Sequence, residues 1–263
     1  MHRQSASWQS VSILNMGLIK NEKEIAKMAE SGRIAATILQ ELVAAARPGV
    51  STKELDELAR RRIEEEGVKP SFLHQDGFPA VVCTSVNSTI VHGLPDDTVL
   101  AEGDTIGIDF GVVYAGWHSD TAVTVAVGEV SYEAKRIMDV CKRALRLGIK
   151  KARPGSTTGD IGNTIQRFVE GEGYSVVREL VGHGIGKHLH EDPQVPNYGR
   201  RGEGAILKPG MVIAIEPMII DGPADLRLAA DGFGYESPSG ALTAHFEHTI
   251  AITEEGPVVL TRA

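Results

Sequence analysis

The chain has 263 residues, of which 42% are hydrophobic and 24% are charged, and its formal net charge is −8 at pH 7. This composition is typical of a globular protein and argues against the clustered basic surface that nucleic-acid binding requires. Two isolated cysteines argue against a disulfide framework and against a thiolate zinc site, which favours a reducing compartment.

The N-terminal residues show neither a continuous apolar core nor a helical period, so we predict no signal peptide there. Met16 is an alternative start of the chain. We expect residues 1–16 to form an N-terminal extension that can be disordered, followed by a single domain over residues 17–263. No apolar run approaches the ~20 residues that a membrane-spanning helix needs, so we expect no membrane contact.

The first half of the domain reads as two helices followed by strands. Asn21 and Glu24 have the spacing of a capping box, and apolar residues at helical spacing then predict a helix that ends at a Pro-Gly stop. Ser51 or Thr52 caps a second helix. The strand-like runs that follow are AVVCTSV, STIVHG, TIGIDFGVVY and DTAVTVAV.

The second half repeats this order. The segment ARPGVSTKELDELARRRIEEEGV at 46–68 aligns without gaps to ARPGSTTGDIGNTIQRFVEGEGY at 152–174, and LAEGDTIGID at 100–109 aligns to LKPGMVIAIE at 207–216. Such nearly equal offsets indicate an internal duplication. We therefore predict an α+β fold in which two related α/β units, each with helices segregated from hairpins, face each other in one domain.

Four acidic residues occupy matching positions in the two units. Asp109 and Glu216 each end an aligned apolar strand, whereas Asp120 and Glu247 each begin the strand that follows. A two-fold relation between the units would bring all four carboxylates to their interface. We predict a two-residue turn after residue 113 that places Asp109 directly opposite Asp120, where two buried carboxylates would repel each other unless a cation lies between them.

A histidine completes this set. His183 lies in the glycine-rich segment VGHGIGKHLHE, and carboxylates with one imidazole suit Mn²⁺, Fe²⁺, Co²⁺ or Zn²⁺. Five ligands are more than one catalytic ion takes, so we predict two bridged divalent ions roughly 3.5 Å apart. His92 and His190 are further candidates for the site, whereas His188 and His245 are interpreted as structural or surface residues.

Five segments in order resemble the pita-bread metallopeptidases, specifically the type I methionine aminopeptidases, from about Gly17 onward. They are IVHGLP, IDFGVVYAGWHSDTA, GHGIGKHLHEDPQVPNY, LKPGMVIAIEP and FEHTIAIT. The resemblance implies a single pita-bread catalytic domain, in which two pseudo-two-fold-related units enclose a dinuclear metal site. It also implies removal of the N-terminal methionine from nascent polypeptides with a small second residue, by a metal-bridged hydroxide that attacks the first peptide bond.

The same resemblance implies a role for each candidate ligand. Asp109, Asp120 and Glu247 would hold one metal ion, and Asp120, His183, Glu216 and Glu247 the other, so that two carboxylates bridge the ions. Glu216 would also move the proton during the reaction.

Two histidines and an apolar pocket complete the implied site. His190 would stabilise charge on the scissile carbonyl oxygen, and His92 would contact the scissile amide. The family often has aromatic residues at the positions of Gln75 and Leu189, and tryptophan at that of Phe233, which leaves the side-chain preference less defined than the chemistry. The residues that would bind the methionine side chain are Phe72, Gln75, Phe78, Cys83, Leu189 and Phe233.

Two alternatives are open. X-Pro aminopeptidases and dipeptidases share this fold but usually carry an extra N-terminal domain for which the chain has no room, and a non-catalytic pita-bread binding protein would typically have lost metal ligands. The 31-residue step from Glu216 to Glu247 excludes the helical insert of the type II enzymes. We expect a cytoplasmic monomer that binds the N-termini of nascent polypeptides, with transient proximity to the ribosome and no specific nucleic acid.

Overall fold

The structure is a computed structural model that describes residues 18–263, so the expectations for residues 1–16 lie outside the described residues. Within these residues the chain forms long helices in two sequential pairs. Their bounds are α1 Glu22–Ala45, α2 Thr52–Glu65, α3 Tyr132–Lys151 and α4 Thr158–Gly171, with a 3-10 turn at Gln75–Gly77. No helix of the described part is long and apolar enough to cross a membrane.

Short strands lie between and after the helices in the described part of the chain. Those of the first half are β1 Lys69–Pro70, β2 Val82–Val86, β3 Thr89–Val91, β4 Thr105–Phe110, β5 Val112–Tyr114, β6 Trp117–His118 and β7 Thr121–Ala126. Those of the second half are β8 Ser175–Val176, β9 Gly182–Gly184, β10 Glu191–Val195, β11 Val212–Ile215, β12 Met218–Ile220, β13 Arg227–Leu228, β14 Tyr235–Glu236, β15 Thr243–His245, β16 His248–Thr253 and β17 Gly256–Val259.

Side-chain caps start the helices where the sequence predicts them. Asn21 and Glu24 form the predicted capping box at the start of α1, because each side chain accepts a hydrogen bond from the other residue's backbone N–H. Ser51, and not Thr52, is the cap of α2. Thr157 caps α4 in the same reciprocal way. Each box satisfies two backbone donors that the first helical turn leaves free.

The helices pack on two central sheets. One sheet has the strand order β2-β4-β7, and the other has the order β10-β9-β11-β16-β17. Helices α1 and α2 share an apolar cluster with β4, and α3 and α4 share a second cluster with β11 and β16. The predicted segregation of helices from antiparallel strands is confirmed, and the two sheets meet between the two layers of helices.

The predicted duplication is visible in matching backbone contacts. Ser51 bridges Val99 in the first half, and Thr157 bridges Ile206 in the second. An equivalent backbone hydrogen bond closes the tight turn that precedes each of these bridges. The N–H of Gly49 donates to the carbonyl oxygen of Leu100, and the N–H of Gly155 donates to that of Leu207. The two units therefore repeat each other in contacts as well as in sequence.

The predicted register of the first hairpin is wrong by two residues, because the turn lies one residue later than predicted. Asp109 pairs with Ala122 across β4 and β7, so Asp120 lies just before the paired part of β7. The turn is at Ala115-Gly116, where both residues have positive φ (49° and 80°), the conformation of a type I′ turn that glycine favours. The strand run also breaks at Gly111, where a side chain would meet the Ser119 carbonyl oxygen at 2.3 Å.

Candidate metal centre

Five strands, or the residues directly beside them, place the five predicted ligands around one cavity. Asp109 lies near the end of β4, Asp120 precedes β7, His183 is the middle residue of β9, Glu216 follows β11, and Glu247 precedes β16. All five side chains line the same cavity of about 130 Å³, although they span residues 109–247. The pseudo-two-fold arrangement of the two sheets is what brings them together.

The donor atoms lie close to one another. Asp120, His183 and Glu247 each present a ligand atom within 4.8 Å of the other two. Nε2 of His183 is 3.8 Å from Oδ2 of Asp120 and 3.6 Å from Oε1 of Glu216. Nδ1 of His183 lies 2.9 Å from the carbonyl oxygen of Gly184 and can donate to it. That hydrogen bond leaves the lone pair of Nε2 facing the carboxylates, as in a metal ligand.

The buried carboxylates lack the partners that they would need without a cation. One oxygen each of Asp109, Asp120 and Glu247 is buried without a hydrogen-bond donor. Burial raises the pKa of Asp109 to about 7, and burial together with neighbouring carboxylates raises the pKa values of Asp120, Glu216 and Glu247. Buried anions at this density require a positive charge, and divalent cations fit the oxygen-rich donor set with its one imidazole.

Two threonines tie the backbone segments of Asp120 and Glu247 together. The Thr249 hydroxyl accepts from the backbone N–H of Asp120 at 3.0 Å and donates to its carbonyl oxygen at 2.8 Å. The Thr121 hydroxyl donates to the carbonyl oxygen of Glu247 at 3.0 Å. Neither residue was among the sequence candidates, although a threonine shortly after each acid was a visible signal of their shared setting.

His92 and His190 face the same cavity from its open side. The rings of His183 and His190 meet edge to face with centroids 4.5 Å apart. Solvent reaches the rings of His92 and His190 through the cavity. The surrounding protein still removes part of their hydration, which lowers the pKa of His92 to about 4 and that of His190 below its ordinary value. His92 has a φ of 58°, which a side-chain-bearing residue rarely adopts. Both rings are neutral at pH 7 and can act as hydrogen-bond donors.

The predicted pocket residues line the apolar side of the cavity. Phe78 and Phe233 meet edge to face with centroids 5.4 Å apart, and Cys83 pairs with Asp109 across β2 and β4. Asp76 also lines the cavity, although the sequence did not single it out. The complete predicted set in this wall is Phe72, Gln75, Phe78, Cys83, Leu189 and Phe233.

His245 lies behind the metal centre, next to one of the proposed ligands. From the sequence, it is interpreted as a structural or surface histidine, and this position is not predicted. The residue is 3% exposed, and its Nε2 atom is 3.6 Å from Oε2 of Glu216. Pairing of β12 with β15 produces the contact by placing His245 opposite Met218. No local sequence pattern shows this pairing.

Comparisons with known proteins agree with the geometry. The sequence profile of metallopeptidase family M24 matches residues 26–254. Methionine aminopeptidase 1 of Bacillus subtilis is 47% identical over 247 residues, which are 94% of this chain and 100% of the relative. The crystal structure of methionine aminopeptidase from Rickettsia prowazekii has a TM-score of 0.92 at 40% identity and covers 94% of this chain and 100% of its own. That from Thermotoga maritima has the same TM-score at 41% identity, with the same coverage of both chains. These structures confirm the predicted pita-bread fold.

Proposed function

The chain belongs to metallopeptidase family M24 and, within it, to the type I-like bacterial methionine aminopeptidases, and on that premise we propose how its residues perform the reaction. The enzyme removes the N-terminal methionine from polypeptides and depends on divalent metal. The observation that carries the mechanism is the convergence of four buried carboxylates and one imidazole beside an apolar pocket.

We propose that the site holds two divalent cations. Asp109, Asp120 and Glu247 would hold one, and Asp120, His183, Glu216 and Glu247 the other. The unpartnered oxygens of Asp109, Asp120 and Glu247 and the free lone pair of His183 support this assignment. The donor set suits Co²⁺, Mn²⁺, Fe²⁺ or Zn²⁺. When bound, the cations supply Lewis acidity that lowers the pKa of a water molecule in the site.

Glu216 is placed to move the proton. Its Oε1 atom faces the cavity near His183, and its side chain is the least buried of the four acids. We propose that Glu216 accepts a proton from the attacking water and transfers it to the leaving amine. Burial and the charges of Asp120 and Asp109 raise the pKa of Glu216, which suits a group that must both accept and release a proton.

The two outer histidines hold the peptide during attack. His190 would donate a hydrogen bond to the scissile carbonyl oxygen as negative charge develops there, and His92 would contact the scissile amide. Because both rings are neutral at pH 7, each has one N–H to donate and no charge that would attract the carboxylates away from the metal ions.

The apolar wall would bind the methionine side chain. Phe78, Leu189 and Phe233 line the cavity beside the carboxylates and would form a narrow slot for an unbranched side chain, with Cys83 at its floor. Burial raises the pKa of the Cys83 thiol, so this residue presents a neutral surface to the substrate. The substrates would be the N-termini of nascent polypeptides with a small second residue, met by a cytoplasmic monomer in transient proximity to the ribosome.

Metal-stripped and metal-restored protein should be assayed on Met-Ala-Ser and Ala-Pro peptides. We expect Met-Ala-Ser cleavage to disappear on stripping and to return with the metal. Asp120→Asn should abolish both metal retention and activity, whereas Asp139→Asn, which changes an exposed acid on α3, should preserve both. Ala-Pro cleavage without Met-Ala-Ser cleavage would show an X-Pro enzyme, and cleavage of neither by metal-loaded protein would show a non-catalytic protein.

A further inference from the structure

His245 is buried behind Glu216, and the proposed mechanism gives its ring no role. The backbone of His245 is held rigidly, because its N–H donates to the Thr124 hydroxyl at 2.9 Å and its carbonyl oxygen accepts from that hydroxyl at 2.9 Å. Pairing with Met218 across β15 and β12 fixes the direction of the side chain. The ring is thus delivered to one place by two independent sets of backbone contacts.

The Nε2 atom of this ring points at one oxygen of a catalytic side chain. It is buried without a hydrogen-bond partner, and Oε2 of Glu216 lies 3.6 Å away. The other oxygen, Oε1, faces Nε2 of His183 at the same distance of 3.6 Å. The Glu216 carboxylate is therefore placed between two imidazoles, one on the cavity side and one behind it.

We propose that His245 is a positioning residue whose Nε2–H donates to Oε2 of Glu216 and thereby directs Oε1 into the cavity. This inference rests on the function proposed for Glu216. At 3.6 Å the contact is longer than a formed hydrogen bond, and such bonds often tighten only when a site is filled. Both the neutral Nε2–H tautomer and the protonated ring carry the required proton, so the role does not depend on the charge of the ring.

The arrangement has a mechanical consequence. A glutamate side chain that rotates freely would present either oxygen to the cavity. It would then hold the orientation needed to bind a metal ion and to transfer a proton for only part of the time. A donor fixed behind Oε2 restricts that rotation, as the outer partners of metal ligands generally do. Asn197 fixes the same residue at its backbone, donating to the Glu216 carbonyl oxygen at 2.9 Å. His245 supplies the corresponding restraint on the side chain.

Two substitutions separate this role from simple packing. His245→Leu removes the donor, whereas His245→Gln keeps an N–H donor of similar reach. We expect His245→Leu to lower kcat on Met-Ala-Ser by ~10–100-fold with little change in KM, and to weaken Mn²⁺ binding by a similar factor in calorimetric titration. His245→Gln should recover most of both losses. His248→Gln is the control, because that ring contacts the Thr261 hydroxyl at 2.9 Å and does not line the cavity of the five proposed ligands.

A third measurement does not depend on activity. Nitrogen-15 NMR of the protein loaded with diamagnetic Zn²⁺, in which the Glu216 carboxylate is ionised, should show the His245 ring protonated at Nε2. A ring protonated only at Nδ1, or His245→Leu with wild-type kcat and Mn²⁺ affinity, would overturn the proposal. If the leucine variant does not fold, the NMR result and the glutamine variant decide the question. Failure of wild-type protein to cleave Met-Ala-Ser would instead overturn the proposed function and leave the tautomer result standing.

Discussion

The acids and the histidines of the metal centre have pKa values that are shifted in opposite directions. The inner carboxylates have raised pKa values because burial disfavours their charge, whereas the surrounding protein lowers the pKa values of His92 and His190. Protons in the metal-free site therefore sit on the acids and not on the imidazoles. A bound cation would reverse this for the acids, and the two outer histidines would stay neutral and able to donate hydrogen bonds.

The role of His190 can be tested separately from metal binding. If its ring stabilises charge on the carbonyl oxygen, His190→Ala should lower kcat on Met-Ala-Ser by ~10²–10³-fold and leave the metal content unchanged. His188→Ala, which changes an exposed ring in the same loop, should have little effect on either quantity. Loss of bound metal in His190→Ala would instead make His190 a ligand or the support of one.

The apolar pocket should discriminate by shape. Met and Leu side chains are both apolar, and about one methylene's worth of fit is worth only ~1–3 kcal/mol, so Leu-Ala-Ser should be cleaved slowly and not be inert. Met-Lys-Ser should be a poor substrate if the second residue must be small. Comparison of kcat/KM for these two peptides with Met-Ala-Ser provides the test, and equal values for Met and Leu would contradict the assignment of Phe78, Leu189 and Phe233.

Three of the five proposed ligands, Asp120, Glu216 and Glu247, lie directly before or after a strand. Three apolar runs that look continuous in the sequence are each interrupted, at Gly111, at Glu216-Pro217 and at Phe246-Glu247. Two of these interruptions coincide with proposed ligands. Where a strand ends beside a carboxylate, the backbone leaves the ladder and can change direction, which lets the chain turn these two acids toward the cavity.

Thr249 offers a test at this scale, because it holds the segment of Asp120 from the neighbouring strand. Thr249→Val keeps the shape but leaves a buried N–H and carbonyl of Asp120 unpaired, so unfolding free energy should fall by ~1–3 kcal/mol and Mn²⁺ affinity should fall with it. Thr253→Val, farther along β16, removes a hydroxyl bonded to Gly256 and should leave Mn²⁺ affinity unchanged. Unchanged affinity in both variants would contradict a role of Thr249 in placing Asp120.

The sequence predicts local structure and recurring patterns far better than it predicts pairing. Asn21 and Glu24 mark a helix start because a capping box is completed within four residues. The Asp109 register was wrong because moving the turn at Ala115-Gly116 one residue earlier keeps every side chain on the same face of the sheet. The alternation of apolar residues along the strands therefore fits both turns. His245 was missed because its neighbour Glu216 is brought there by pairing of distant strands. The four acids were recognisable because the duplication places a matching pair in each unit, and the family resemblance points to the same residues.

The whole molecule joins two copies of one unit around a dense cluster of negative charge. In the unfolded chain, Asp and Glu side chains lose their protons near their ordinary pKa values of 3.8 and 4.5. In the folded metal-free chain, burial raises the pKa of Asp109 to about 7. Folding therefore binds protons at these acids, and their contribution to stability is lost as pH rises from about 4 through 7. The pKa values of several histidines are lowered from 6.5 to about 4 or below, mainly because the protein desolvates their rings, which gives the opposite trend up to pH 6.5. These histidines are His92, His118, His183, His245 and His248.

The two trends separate above pH 6.5, where the histidines contribute no further change. We expect the melting temperature of the metal-free protein to fall between pH 6.5 and 8, while the metal-loaded protein, with its carboxylates already ionised, lacks this fall. Calorimetry of both forms at each pH cancels the effect of groups elsewhere. A gap between the two forms that shrinks as pH rises would contradict the cluster as the site of metal binding.

The most direct test of the proposed centre is an anomalous-diffraction map of crystals loaded with Mn²⁺. We predict two peaks about 3.5 Å apart, with Asp120 and Glu247 contacting both, Asp109 contacting one, and His183 and Glu216 contacting the other. The Asp120→Asn variant, treated identically, should lose both peaks. A single peak, or strong peaks outside the cavity formed by these five residues with none inside it, would contradict the proposed centre.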